Sequence, residues 1–309
     1  MEKVLLFADP GIDDSVAIIY ALLHPSIDVI GIVAGYGNVE RDQAVQNAAY
    51  LISLAGRSEI PLFAGSEYPL TGEVAPYYPE IHGEEGLGPI VPPEGIPAEL
   101  LPFTELFPLI EKHKEELTII DIGRSTSLAL AFVLQNELMS AVKRFIIMGG
   151  AFLVPGNVTP LAEANFFIDP VATQVILTRA RPLTIISLNV TSYALVTDDM
   201  IEEVTETNYN PFTFLMRPVF DYYASAYQEL APGIKGAPFH DVAAVMASQY
   251  NGIFDFIKKD VSISLEGETR GLSIADFRPG AEAGDISIAV TMDYPSFRNS
   301  FVDVLKRRL

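Results

Sequence analysis

The sequence predicts an α/β fold: a three-layer, Rossmann-like arrangement with a mostly parallel central sheet and helices on both faces. Three observations predict it. Short, continuous apolar runs recur along the chain, the pattern of strands buried on both faces. Amphipathic stretches of helical length separate them, so successive strands are joined by crossovers and lie parallel. Glycine, proline and aspartate mark the junctions.

In order, residues 4–8 read as a buried strand that ends at Asp9. Pro10 disfavours the helical region at Asp9 and keeps it extended. Gly11 permits a sharp turn, and residues 14–23 read as a helix. Asp13 and Asp14 open it, where the helix dipole favours acidic groups. Residues 29–34 predict a second strand, 40–54 a second helix closed by Gly56, and 61–64 a short strand. Residues 117–122, 144–148 and 183–188 predict further buried strands, with helices at 125–134, 170–178 and 198–205. Late strands are expected at 261–265 and 286–292, and an amphipathic terminal helix at 296–308. Two segments interrupt the alternation. Residues 68–102 are rich in proline and glycine and contain "HGEEGLG", and residues 228–240 form a second such loop. Long loops in a compact domain are often binding loops or lids. Without repeats or a linker, residues 1–309 are expected to form one domain.

Composition narrows the function. The chain has 309 residues, 49% of them hydrophobic, enough for a large core. Its net charge of −20, from 40 acidic and 20 basic residues, repels phosphate backbones, so no nucleic-acid partner is expected. There is no cysteine, which excludes disulfides, thiolate metal sites and a cysteine nucleophile. No apolar run is long enough to span a membrane, and the N-terminal one is too short for a signal peptide. A soluble, cytoplasmic protein is the expectation.

The stretch "DPGIDD" sets Asp9, Asp13 and Asp14 together at a strand end. In parallel α/β proteins ligands collect at the carboxyl ends of strands. Neighbouring helical residues point ~100° apart, so Asp13 and Asp14 could serve different partners. One carboxylate is explained by helix capping; three call for a counter-charge. A hard cation held by oxygens, Ca²⁺ or Mg²⁺, is the natural partner. Zinc is poorly supported, because none of the four histidines pair at ligand spacing.

At these residues the chain resembles the inosine–uridine-preferring nucleoside hydrolase family, whose opening motif is Asp-x-Asp-Pro-Gly-x-Asp-Asp. The likeness continues in order through "GYGNV" at 35–39, "QNAAYLISLAGRSEIPLFAGSEYPL" at 46–70 and "HGEEGLG" at 82–88. It extends through "MGGAFLVPGNVTPLAEANFFIDPVA" at 148–172 and "FHDVAAV" at 239–245. The resemblance implies a Ca²⁺-dependent enzyme that cleaves the N-glycosidic bond of ribonucleosides to ribose and free base. It further implies a homo-oligomer, dimer or tetramer. Asp9, Asp14 and Asp241 would bind Ca²⁺ through carboxylates, and Thr126 through its carbonyl. Asp13 would face the ribose. Asn157, Glu163 and Asn165 would take ribose hydroxyls, with Asn38 beside them and Met148 and Phe166 or Phe167 along the wall. His82 would belong to the flexible loop. Tyr223 and Tyr227, four residues apart, share a helix face that could close over the base.

The chemistry follows from the bond. Cleavage at the anomeric carbon builds positive charge on the sugar. Asp9 could take a proton from a water on the metal. His240 could protonate the departing base, as histidine ordinarily titrates near neutrality. The chain departs from the family at Phe7, which replaces the motif's first aspartate. It also has "GRSTS" for "GPLTN" at 123–127, placing Arg124 near the proposed cation and Ser127 where the family has Asn, and "LNVT" for "LDVT" at 188–191, giving Asn189. Phe7, Ser127 and Asn189 support an alternative: a catalytically weak nucleoside- or ribose-binding protein that keeps the Ca²⁺ site. A dinucleotide-binding loop at "GYGNVE" is disfavoured, because Glu40 stands where the third glycine would be.

Overall fold

A computed structural model describes residues 1–93, 95–96, 99–249 and 252–309. Its centre is a sheet of nine strands: β1 (Glu2–Ala8), β2 (Ile27–Ala34), β3 (Leu62–Ala64), β4 (Leu100–Leu101), β5 (Leu117–Asp121), β6 (Arg144–Met148), β7 (Leu183–Ile186), β8 (Phe254–Lys259) and β9 (Ile286–Met292). They lie in the order β8-β9-β7-β6-β5-β1-β2-β3-β4. All neighbours run parallel except β8 against β9. The fold class is as the sequence predicts.

Alternation along each strand sends side chains to opposite faces, and two core clusters follow from it. Val4, Leu6 and Ala8 of β1 join one cluster with helices Ile12–Leu23, Arg41–Leu54, Thr213–Leu230, His240–Ala247 and Tyr294–Leu305. Leu5 and Phe7 join the other, with helices Leu106–His113, Thr126–Leu134 and Pro170–Arg179. The chain first winds from β1 to β4, then returns to β5 on the opposite side of β1. The crevice between β1 and β5 is therefore the topological switch point, where such folds bind ligands.

Several expectations are corrected. The run at 183–188 ends as a strand at Ile186, and Leu188–Thr191 forms a short helix. The stretch at 261–265 contributes only Ser262–Ile263, in a separate two-stranded sheet with Ser273–Ile274. Strand β8 was not legible: Asp255, Lys258 and Lys259 break its apolar pattern, as charges do on a sheet edge. The 68–102 loop contains the helix Pro79–His82 and strand β4; its residues 94, 97 and 98 lie outside the described residues.

Candidate active site

Asp9 follows β1 directly and is buried. Its carboxylate Oδ2 accepts from the Asn38 amide at 2.6 Å, and the Arg124 guanidinium lies 3.2 Å away. Oδ1 is buried without a hydrogen-bond partner among the described residues. Two glycines make this possible. A Cβ on Gly37 would lie 1.8 Å from Asp9 Oδ2, and one on Gly123 2.3 Å from Oδ1. Main chain from the ends of β2 and β5 thus closes on the carboxylate from both sides.

Asp14 folds back over the helix start. Its oxygens accept from the Asp9 amide at 3.1 Å and the Asn38 side-chain amide at 2.7 Å, and less closely from the Gly11 amide at 3.4 Å. Asp241 enters from the first turn of helix His240–Ala247, which packs against helix Ile12–Leu23. Asp13, Asp14 and Asp241 each bring a carboxylate oxygen within 4.8 Å of the others. Although they are helix neighbours, Asp13 and Asp14 reach the same cluster.

Burial drives all four aspartates above the usual carboxylate range, and repulsion from neighbouring carboxylates adds to it at Asp9, Asp13 and Asp241. Asp13 is pushed up to about 7. Arg124 opposes the shift at Asp9, second only to burial in weight. Asp13, Asp14 and Asp241 form a buried, all-oxygen set, with Asp13 Oδ1 unpartnered among the described residues, that fits a hard divalent cation; Asp9, expected among the ligands, lies outside this group and pairs with Arg124. The Thr126 hydroxyl is engaged elsewhere, with Asp169 at 2.7 Å and Tyr36 at 2.8 Å.

Asp13 and Asp241 line a cavity of about 360 Å³, while Asp9, Asp14 and Thr126 are not part of its wall. Asp13, Asn38, His82, Met148, Asn157, Glu163, Asn165, Tyr223, Tyr227, His240 and Asp241 all line it, so residues far apart in sequence converge as expected. Asn165 donates to the carbonyls of Ile122 at 3.0 Å and Met148 at 3.2 Å. Glu163 caps helix Ala164–Ile168, accepting from the amides of Asn165, Phe166 and Gly150. The Asn157 side chain accepts from the Ala164 amide at 3.0 Å.

Phe166 is a correction. It is fully buried in the second core cluster beneath Gly149 and Gly150, and it is absent from the cavity wall. The apolar side of "NFF" faces the core because a helix of this length buries one side only. Phe167 packs instead near Tyr36 and Ala75.

His82 is buried on helix Pro79–His82, within the glycine-rich loop segment, and lines the cavity. Tyr222 anchors that helix by donating to the Pro79 carbonyl at 2.9 Å. His82 Nδ1 accepts from the Ile12 amide at 3.1 Å, at the first turn of helix Ile12–Leu23. Burial, with Arg124 and His240 nearby, pushes its pKa down to about 3, so the ring is neutral.

His240 does not titrate near neutrality. Burial lowers it to about 4. Its Nδ1 pairs with the Thr191 hydroxyl at 2.8 Å and its Nε2 with the Tyr227 hydroxyl at 3.0 Å. The imidazole is a neutral link in a Thr191–His240–Tyr227 chain. Tyr223 stands edge-on to Tyr227, 4.9 Å between ring centres, and continues the wall toward His82.

The departures at 7, 127 and 189 have structural partners. Ser127 Oγ accepts from the Ser66 amide at 2.9 Å, tying helix Thr126–Leu134 to the end of β3. Asn189 both accepts from the Phe152 amide at 3.0 Å and donates to the Phe152 carbonyl at 2.7 Å; an ionised aspartate could only accept. Phe7 is core, and its register partner on β5 is Asp121, a buried carboxylate that the sequence reading missed inside an apolar run.

The model of the family described as "Inosine-uridine preferring nucleoside hydrolase" matches residues 4–299. The chain is 32% identical to a protein named "Probable uridine nucleosidase 2" from Arabidopsis thaliana, covering 98% of this chain and 97% of that one. It is 31% identical to the "Inosine-uridine preferring nucleoside hydrolase" of Crithidia fasciculata, covering 99% and 98%. Among solved structures, a "Purine-Preferring Ribonucleoside Hydrolase from Gardnerella vaginalis" superposes with a TM-score of 0.91 at 30% identity, covering 99% and 98%. With its family signature running nearly end to end and its acidic residues gathered at the sheet's switch point, the chain belongs to the inosine-uridine preferring nucleoside hydrolases and is a ribonucleoside hydrolase.

Proposed function

We propose that this protein cleaves the N-glycosidic bond of ribonucleosides with Asp9 as general base and the His240–Tyr227 pair as the route of a proton to the departing base. The observation that carries the reading is the Asp9 carboxylate. It is clamped by main chain at the carboxyl end of β1, beside three clustered aspartates, with one oxygen left without a partner among the described residues.

Asp9, Asp14 and Asp241, with the Thr126 carbonyl, would hold Ca²⁺; Asp13 reaches the same cluster and is free to share its load with ribose. When bound, the ion would supply positive charge against the carboxylates and a fixed anchor for sugar oxygens. The remaining work falls to the protein. Asp9 takes the proton from an attacking water. The acidic cluster stabilises the oxocarbenium-like charge that grows on the sugar. Asn157, Glu163 and Asn165 orient the ribose. Helix caps and carbonyl bonds hold these three in place before substrate arrives, which lowers the ordering cost of binding. A nucleoside panel assayed for reducing sugar, with and without a chelator, tests this reading. Hydrolysis that vanishes with chelator and returns with Ca²⁺ is expected; full activity in chelator removes the metal from it.

The neutral His240 gives a second expectation. Replacing it with glutamine removes the link to Tyr227, and kcat on inosine falls by roughly 10²–10³-fold. On 4-nitrophenyl riboside, whose leaving group needs no proton, kcat changes by less than about 3-fold. Equal losses on both substrates would mean that His240 shapes the pocket rather than delivering a proton.

A further inference from the structure

Arg124 is the residue the nucleoside hydrolase reading does not absorb. It follows Gly123 in the turn from β5 into helix Thr126–Leu134, and its side chain is only 4% exposed. Its guanidinium lies 3.2 Å from Asp9, donates to Asn165 Oδ1 at 2.5 Å and donates to Asn38 Oδ1 at 3.2 Å. Its Nε is buried with no hydrogen-bond partner among the described residues. Among the described residues no Lys and no other Arg lines the cavity that Asp13 and Asp241 share.

We propose that Arg124 is the resident cation of this site. It positions Asp9, Asn38 and Asn165 when no metal is bound, and it weakens the binding of a divalent ion. The inference rests on the reading of the aspartate cluster as a metal site.

The physical case has two parts. Buried carboxylates need a counter-charge, and the protein supplies one covalently at Asp9. Asn38 then transmits it: the same residue accepts from Arg124, donates its main-chain amide to Asp9 and donates its side-chain amide to Asp14. The acidic cluster is thereby linked to Arg124 through fixed hydrogen bonds. Like charge is also repelled. A divalent ion entering beside Asp14 and Asp241 meets a guanidinium that shares their low-dielectric surroundings, where charges are screened far less than in water. Arg124 must rotate away or the ion must bind more weakly.

Calorimetric titration of chelator-stripped protein with Ca²⁺ tests this directly. Arg124→Met removes the charge and keeps the length of the stem. It is expected to bind Ca²⁺ at least tenfold more tightly than wild type. Arg124→Lys keeps the charge and loses the planar fork; it is expected to stay within about threefold of wild type. Stripped Arg124→Met is also expected to melt below stripped wild type and to recover on adding Ca²⁺, because four buried carboxylates lose their built-in partner. Tighter binding on removal of a side chain is not a result that misfolding produces. Equal or weaker Ca²⁺ binding by a folded Arg124→Met overturns the inference and leaves the metal reading standing. An absence of Ca²⁺ binding in wild type and both variants overturns the metal reading, and the inference with it.

Discussion

Asp9→Asn is expected to abolish nucleoside hydrolysis, with kcat reduced at least ~10³-fold, the scale set by losing a positioned general base. The substitution is close to isosteric. Asparagine can still accept from the Asn38 amide, and it fits the same space between the Gly37 and Gly123 backbones. What disappears is the charge: the acceptor of the water proton and one contributor to the field over the sugar. Stability should change little. Burial makes ionised Asp9 costly, so a neutral group relieves a penalty while Arg124 gives up an ion pair. Arg124 keeps its acceptors on Asn38 and Asn165. Reducing-sugar release beside a thermal melt checks both halves. Near-normal turnover in a folded Asp9→Asn protein removes Asp9 from the role of base.

The second large effect concerns stability and lies just behind the site. Asp121 ends β5 opposite Phe7 on β1 and Ile147 on β6, on the face that packs into the second core cluster. Both carboxylate oxygens are shut away from water. Burial pushes its pKa to about 7, from 3.8 in the unfolded chain, with Ser125 and the Gly123 amide opposing the shift. The folded state therefore holds the proton more tightly than the unfolded state. Between pH 4 and 7 stability falls as pH rises, because the unfolded chain has released a proton that the folded chain retains. Above pH 7 the penalty is complete, on the order of 4 kcal/mol for a shift of about three units. Asp121→Asn keeps the shape and removes the ionisation. Its melting temperature should match wild type near pH 4 and exceed it by several degrees at pH 8. A difference that is flat across this range would show that Asp121 is not held protonated.

The first element and its aspartates were legible because local chemistry determines them. An apolar run, a proline that keeps Asp9 extended and a glycine that turns the chain need no knowledge of distant residues. Helices at 40–54, 125–134, 170–178 and 198–205 were readable for the same reason, and their observed bounds differ by a residue at most. The site's membership depended on the resemblance, since nothing local brings Asp241 to Asp14. What failed was whatever depends on burial by remote chain. His82 reads as a loop residue until the Thr213–Leu230 helix covers it, and His240 reads as an ordinary histidine until its surroundings prove dry. Asp121 is hidden because one carboxylate at the end of "LTIID" resembles the polar exit of a strand. Phe166 and Phe167 cannot be told apart without knowing which side of their helix meets the sheet.

The grip of Gly37 and Gly123 on Asp9 divides the labour of the pocket. Peptide planes hold the Asp9 carboxylate, so its direction is insulated from changes in surrounding side chains. The roof is built differently, from His82, Tyr223 and Tyr227 on helices that meet over the cavity. A carboxylate fixed by main chain beside a wall built from side chains lets substitutions reshape the wall while the clamp stays intact.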